Sequence, residues 1–365
     1  MNTFPLVSVV MPVYNTAPFL RQAIDSILRQ TYINFEFIIV DDASTDDSLD
    51  IIRSYRDTRI YLISNEVNQG ISKTRNLGMQ QAKGKYIAVF DSDDIAFSTR
   101  LEKQVEYLEK HDDFGLVGGE VLPIDSCGNV IGPTWKYPAR PEEIPVLLLF
   151  RNYFAQAAVM LRVNSLPASL YDPTFITAGD YELWTRIARK VKVWNIPSPV
   201  LKYRVHQSSI TRRHDKQSST KSIVKIIKNQ LSYLQMNLSE EELELMKLMS
   251  TNSYDSNLTV LRKAFKEDIQ LLNQQIRVLE KVKKANNHRK VYDLHACDDI
   301  IESKKVDIIK IYIDEVFTKS YKRCLCNLVP FCRSPHKLYR YIGMRRSIRI
   351  VAKCLLGSVL KFGTK

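Results

Sequence analysis

The strongest constraint on how this chain can fold is the regular alternation of strand and helix signals through its first 110 residues. Val7 to Val13 is a β-branched run, and Pro18 to Gln30 carries Leu20, Ile24, Ile27 and Leu28 at the spacing of one helix face. Phe35 to Val40 reads as a second buried strand, after which Ser44 or Thr45 can cap a helix reaching Tyr55. Ile60 to Ile63 predicts a third strand, Ile71 to Ala82 a helix, Tyr86 to Phe90 a fourth strand, and Thr99 to Lys110 a closing helix. Strands and helices alternating at short spacing imply right-handed crossovers and a mainly parallel sheet. The fold class is α/β, Rossmann-like, with helices on both faces.

Past Gly115 the pattern loosens into short strands and Pro- and Gly-containing loops, until Asp180 to Lys190 predicts a helix and Val200 to Val205 a strand. From Lys216 the composition changes: no Gly occurs before Gly343 and no Pro before Pro330. Helical patterns take over. Ser239 with Glu242 is a capping-box signature, and Phe265, Ile269, Leu272, Ile276 and Leu279 follow one helix face too briefly for a coiled coil. The chain therefore divides at residues 1–215, 216–320 and 321–365, a helical C-terminal region following the α/β part. At 365 residues, it is longer than one compact domain usually needs.

Charge sharpens that division. The net charge is +13, yet Tyr321 to Lys365 contains 11 Lys or Arg and no Asp or Glu, which leaves the first 320 residues close to neutral. The tail is the basic part. Ile348, Val351, Leu355, Val359 and Phe362 recur there at helical spacing, with Arg345, Arg346, Arg349, Lys353 and Lys361 among them. A basic amphipathic helix of this kind suits an anionic membrane surface; nucleic acid is the competing polyanion, and a solvated tail the plain alternative. The N-terminus has no basic n-region, and no window reaches the roughly 18 apolar residues of a spanning helix. A cytoplasmic protein is expected. Cys324, Cys326, Cys332 and Cys354 lack the paired spacing of a usual zinc site, so reduced thiols are expected.

In open parallel sheets, ligands bind beyond the carboxyl ends of the strands, and here those ends are acidic. The second strand runs into Asp41-Asp42, and the fourth into Asp91-Ser92-Asp93-Asp94. Clustered carboxylates repel one another unless cations offset them, and carboxylate oxygens suit a hard divalent ion such as Mg²⁺ or Mn²⁺ held jointly with substrate phosphates. The alternative is a solvated turn with helix-capping acids. P-loop, dinucleotide, zincin and α/β-hydrolase motifs are all absent from the sequence.

Taken together, VSVVMPVYN, FEFIIVDDASTDDS, NQGISKTRNLGMQQAKGKYIAVFDSDD with RLEKQ, GDYELWTRIA and YRVHQSS resemble, in order, the family 2 glycosyltransferases of GT-A fold over about Val7 to Thr211. The resemblance implies an inverting enzyme that moves a sugar from a nucleotide-diphosphate donor, UDP by first choice, to a saccharide or lipid-linked acceptor in surface-polysaccharide assembly. It implies that Pro12 and Tyr14 line the nucleotide site, that Asp41 faces the base with Arg75 close to it, and that Asp91 meets the ribose side. Asp93, and beside it Asp94, would face metal and diphosphate.

Asp180 is the candidate base. An acid in a first helical turn is also favoured by the dipole alone, and Gly179 stands where the family carries Glu. On its own His206 in YRVH reads more readily as an ordinary surface or core histidine; the resemblance places it near diphosphate or metal and brings the two readings level. Arg204, Arg212 and Arg213 read as solvated charge, with Arg212-Arg213 alternatively a segment closing over phosphate, and Trp184 as core packing ahead of sugar stacking. Two rivals remain open here: a sugar-phosphate nucleotidyltransferase, disfavoured by MPVYNTAPFLR where a Gly-rich loop should stand, and a catalytically silent nucleotide-sugar-binding scaffold.

Overall fold

The computed structural model describes residues 4–137, 139–207, 216–249 and 270–317. The basic tail and Arg212-Arg213 therefore lie outside the described residues, as do Phe265 and Ile269. The chain separates into two compact units, Met1–Ile226 and Ile227–Lys365.

The first unit opens with β1 (Val7–Val13), α1 (Ala17–Leu28), β2 (Phe35–Asp41), α2 (Ser48–Arg53), β3 (Ile60–Ser64), α3 (Ile71–Gln81) and β4 (Tyr86–Val89). β5 (Ile95–Ala96), α4 (Arg100–Lys110), β6 (Phe114–Ile124), the single turn α5 (Ile144–Leu147), β7 (Met160–Arg162), α6 (Gly179–Ala188) and β8 (Lys192–Arg204) follow. Eight strands form one sheet in the order β3-β2-β1-β4-β7-β6-β8-β5. β1 is parallel to both β2 and β4, and β2 to β3, so the first half is the expected parallel sheet. The second half is mixed: β7 is antiparallel to β4 and β6, and β5 to β8.

All seven residues of β1 are buried, as a central strand covered on both faces requires. Its alternation divides the core. Val9 and Met11 pack in the cluster that holds Leu20, Ile24 and Ile27 of α1 and Leu101 and Val105 of α4, while Val10 belongs with Met79 of α3 and Leu183, Trp184 and Ile187 of α6. Trp184 is fully buried, a core residue as its spacing suggests. Arg100 is also fully buried, donating to the Val89 and Val159 carbonyls at 2.8 and 3.2 Å, and burial pulls its pKa down to about 9.

Two boundaries differ from the sequence expectation. The helix α2 begins at Ser48 because Ser44 Oγ accepts the Asn15 N–H at 3.1 Å and Asp46 accepts from Ser48 N and Ala17 N, each at 3.0 Å. These side chains tie strand ends together instead of capping earlier. β8 is 13 residues long despite Pro197 and Pro199, because register irregularities at Gly119, Glu120 and Val121 of β6 absorb the missing donors.

α7 (Lys216–Tyr233) runs across the division between the units. α8 (Glu240–Met249), α9 (Gln270–Arg289) and α10 (Leu294–Phe317) are the remaining described helices. The capping box is present, with Glu242 N donating to Ser239 Oγ and Ser239 N to Glu242 Oε2, both at 3.2 Å. Lys305 of α10 meets Glu280 of α9 and Glu302, the latter at 2.7 Å. Among the described residues no helix is long and apolar enough to cross a membrane.

Candidate active site

Because β1 lies between β2 and β4, and the chain runs outward to β3 before returning, the carboxyl ends of β1, β2 and β4 meet at a change of direction in the strand order. Pro12 is buried within β1, and Tyr14 just beyond it is 44% exposed. Asp41 ends β2 with Oδ2 3.3 Å from Ser44 N, while its buried Oδ1 has no hydrogen-bond partner. The neighbouring Asp42 has a different task. Its Oδ1 accepts from Asn65 Nδ2 and Gln69 N at 2.7 and 2.8 Å, and its Oδ2 from Gly70 N at 2.9 Å. Gly70, at φ +85°, turns the chain into α3, so Asp42 sets the start of the helix that carries Arg75.

Arg75 Nη2 donates to Asp91 Oδ1 at 2.6 Å, and its guanidinium lies over the Tyr171 ring, 5.5 Å from the centroid. Burial works to lower its pKa, but Asp91, Tyr171 and Asp180 outweigh that and raise it, so the cation persists. Its Nε is buried and unpartnered. Tyr171 is held in turn: Asn76 exchanges two hydrogen bonds with its backbone at 2.8 and 2.9 Å, and Gln156 Nε2 donates to its hydroxyl at 2.7 Å.

In the turn after β4 the two adjacent aspartates point different ways. Asp93 Oδ2 lies 2.9 Å from His206 Nε2, whose ring packs on Phe19 with centroids 4.6 Å apart. Asp94, expected beside it on the metal, is instead 1% exposed and accepts the Arg204 backbone N–H through Oδ1 at 2.8 Å. Burial, then Asp93 and Asp91, raise its pKa well above the usual carboxylate range. Arg204 is not solvated charge either. It is 1% exposed and donates to the Asp93, Asp125 and Ser126 carbonyls and to Gln22 Oε1, at 2.7, 3.2, 2.9 and 2.7 Å. This residue fixes the turn that aims Asp93.

Asp180 stands in the first turn of α6, after Ala178 at φ 58°. That left-handed alanine is strained by about 1–2 kcal/mol and swings the helix start toward the sheet end. Gly179 has ordinary room around it, a Cβ meeting Ser72 Oγ only at 3.7 Å, so the absent Glu side chain leaves space, not a close contact. Asn152 Nδ2 donates to Asp180 Oδ2 at 2.7 Å. Burial raises the Asp180 pKa, against the opposing field of Arg75.

Among the described residues no three His, Cys, Asp or Glu side chains gather into a metal cage. The Asp93 carboxylate is nevertheless a donor that suits Mn²⁺ or Mg²⁺ completed by phosphate oxygens, and the imidazole of His206 beside it favours the softer Mn²⁺ of the two. Sequence reasoning missed Asn152 and Tyr171, and it saw Asp42 and Arg204 without their roles: Asp42 as part of the acidic strand end, Arg204 as a charge inside a strand pattern.

The family model described as glycosyl transferase family 2 matches residues 8–165. An uncharacterized glycosyltransferase of Haemophilus influenzae is 34% identical over 236 residues, 61% of this chain and 73% of that protein. The chain belongs to glycosyltransferase family 2. The UDP-Glc:alpha-D-GlcNAc-diphosphoundecaprenol beta-1,3-glucosyltransferase WfaP of Escherichia coli is 33% identical to this glycosyltransferase over 206 residues, 55% of this chain and 80% of that one. Residues 1–349 of S. aureus TarS in complex with UDP superpose with a TM-score of 0.52 at 17% identity, covering 86% of this chain and 92% of that fragment, a likeness in GT-A fold. Family membership removes the nucleotidyltransferase alternative; a transfer assay separates the silent scaffold.

Proposed function

We propose that this glycosyltransferase is metal-dependent and inverting, and that it transfers a sugar from a UDP-sugar to a hydroxyl of a saccharide or lipid-linked acceptor in polysaccharide assembly. The observation that carries the reading is Arg75, one cation bonded to Asp91 at the donor strand end and acting on Asp180 at the acceptor helix. Donor and acceptor sides thus share one electrostatic centre. Pro12, Tyr14 and Asp41 line the nucleotide pocket, and the unpartnered Asp41 Oδ1 suits an N–H of the base. Asp93 and His206 would hold the divalent ion, which offsets the charge of the diphosphate leaving group when bound. Asp94 braces the turn from beneath.

Asp180 takes the proton of the acceptor hydroxyl as that oxygen attacks the anomeric carbon opposite the nucleotide. A single displacement inverts the centre and needs no carboxylate nucleophile, unlike the double displacement of retaining glycosidases. UDP as donor and a diphospholipid-linked acceptor are supported by the relative WfaP, a UDP-Glc:alpha-D-GlcNAc-diphosphoundecaprenol glucosyltransferase. The test is a panel of nucleotide sugars with Mn²⁺, read as donor hydrolysis and as transfer. Calorimetry of Asp93→Ala should show UDP-sugar affinity that no longer responds to Mn²⁺; an unchanged response would overturn the metal assignment.

The basic tail, 321–365, is proposed to hold the enzyme at an anionic membrane from the cytoplasmic side, where a lipid-linked acceptor resides. Each surface Lys or Arg adds about 1 kcal/mol of attraction, screened within about 8 Å at physiological salt. Full-length protein should float with anionic vesicles and protein lacking residues 344–365 should not; equal behaviour of the two would reject the anchor.

A further inference from the structure

The loop after α5 sends one polar side chain to the acceptor side, Asn152. Two contacts fix its amide. Phe154 N donates to Asn152 Oδ1 at 3.1 Å, which turns the NH₂ toward Asp180, where Nδ2 donates to Oδ2 at 2.7 Å. A flipped amide would set oxygen against carboxylate oxygen and N–H against N–H, so both neighbours select the same orientation. The other groups acting on this carboxylate are Arg75 from α3, Asp91 beyond β4, Tyr171 from the loop before α6, and the Tyr181 N–H of its own helix. Arg75 is already bonded to Asp91. Asn152 is a neutral donor whose N–H is given to Asp180.

We propose that Asn152 is a positioning residue for proton transfer: by occupying Oδ2 it presents Oδ1 of Asp180 to the acceptor hydroxyl and holds the carboxylate anionic. The proposal rests on the reading of Asp180 as base. Burial drives a carboxyl toward its neutral form, which cannot accept a proton, and a hydrogen bond to the anion opposes that drive. Loss of one charge-assisted bond moves a carboxyl pKa by about one unit, or about tenfold in rate below the acid limb. The role is chemical, and packing alone cannot mimic it.

The experiment pairs Asn152→Ala with Asn152→Asp in the full chain. The aspartate keeps an acceptor for Phe154 N but sets a like charge against Asp180, so the fold is retained while the field reverses. Two readouts are taken: the acid limb of kcat/KM for transfer against pH, and the Asp180 carboxyl titration by ¹³C NMR, assigned with Asp180→Asn. The expected result is that both move to higher pH, by about one unit in Asn152→Ala and by more in Asn152→Asp. An Asp180 titration unmoved in Asn152→Asp overturns the proposal. A titration that moves while the rate limb stays put overturns Asp180 as base, and with it the part of the proposal concerned with proton transfer, while the contact itself stands.

Discussion

The parallel half of the sheet and its mixed half solve the same problem, holding a carboxylate at a strand or helix end, by opposite means. At the ends of β1 and β2 the side chains are cross-tied, mostly to backbone amides: Asp42 takes Gln69 N, Gly70 N and the side chain of Asn65, Ser44 takes Asn15 N, and Asn15 Oδ1 takes Thr45 N at 2.8 Å. On the acceptor side Asp180 depends on a helix approached through a strained alanine and on an amide from a separate loop. Redundant ties make the donor side tolerant. Single ties make the acceptor side exact in geometry but easy to disturb.

The largest effect expected from breaking this contrast falls at Asp180. Asp180→Asn preserves size and much of the hydrogen bonding but cannot accept a proton, so transfer should fall by about 10² or more while donor affinity is nearly unchanged. Steady-state kinetics beside calorimetric donor binding check this. Near-normal turnover would move the base to another group.

Arg204 comes next, because its four hydrogen bonds converge on the turns that flank Asp93. Arg204→Ala breaks four hydrogen bonds from the buried guanidinium to partly exposed acceptors and should cost about 2–4 kcal/mol, at roughly 0.5–1 kcal/mol per bond. Denaturant unfolding would measure it. Mn²⁺-dependent donor binding should weaken in the same variant, since the Asp93 carbonyl loses its anchor; stability near wild type would show that the turn holds without the guanidinium.

What was legible in the sequence follows the same division. The parallel half could be read strand by strand, because fully buried parallel strands are continuous apolar runs whose ends display the carboxylates. In the mixed half only α6 and the end of β8 could be. β7 is three residues long, β5 is two, and β8 contains two prolines, so periodicity has little to work on. The site shows the same limit: Asp180, Asp93 and His206 sit in recognisable motifs, whereas Asn152 and Tyr171 reach the site from loops whose path only tertiary contacts fix. Asp94 and Arg204 were visible as residues, but their burial was not, since adjacent side chains in a turn can face opposite ways.

The smallest and most discriminating change uses the two strained alanines, Ala43 on the donor side and Ala178 on the acceptor side, each at φ 58°. Glycine removes a left-handed penalty of about 1–2 kcal/mol and adds about 0.4–1 kcal/mol of unfolded-chain entropy, so either substitution should raise stability by roughly 0.5–1 kcal/mol. Their effects on turnover should differ. At position 43 the neighbouring residues remain tied by Asn15, Ser44 and Asp42, and kcat should stay near wild type. Ala178→Gly places two glycines before Asp180 and loosens the turn that aims the carboxylate, so kcat should fall several-fold as stability rises, because small errors in the position of a base are costly in rate. Thermal unfolding and kcat measured on both variants decide it. Equal kcat values would show that the alanine's strain has no part in catalysis.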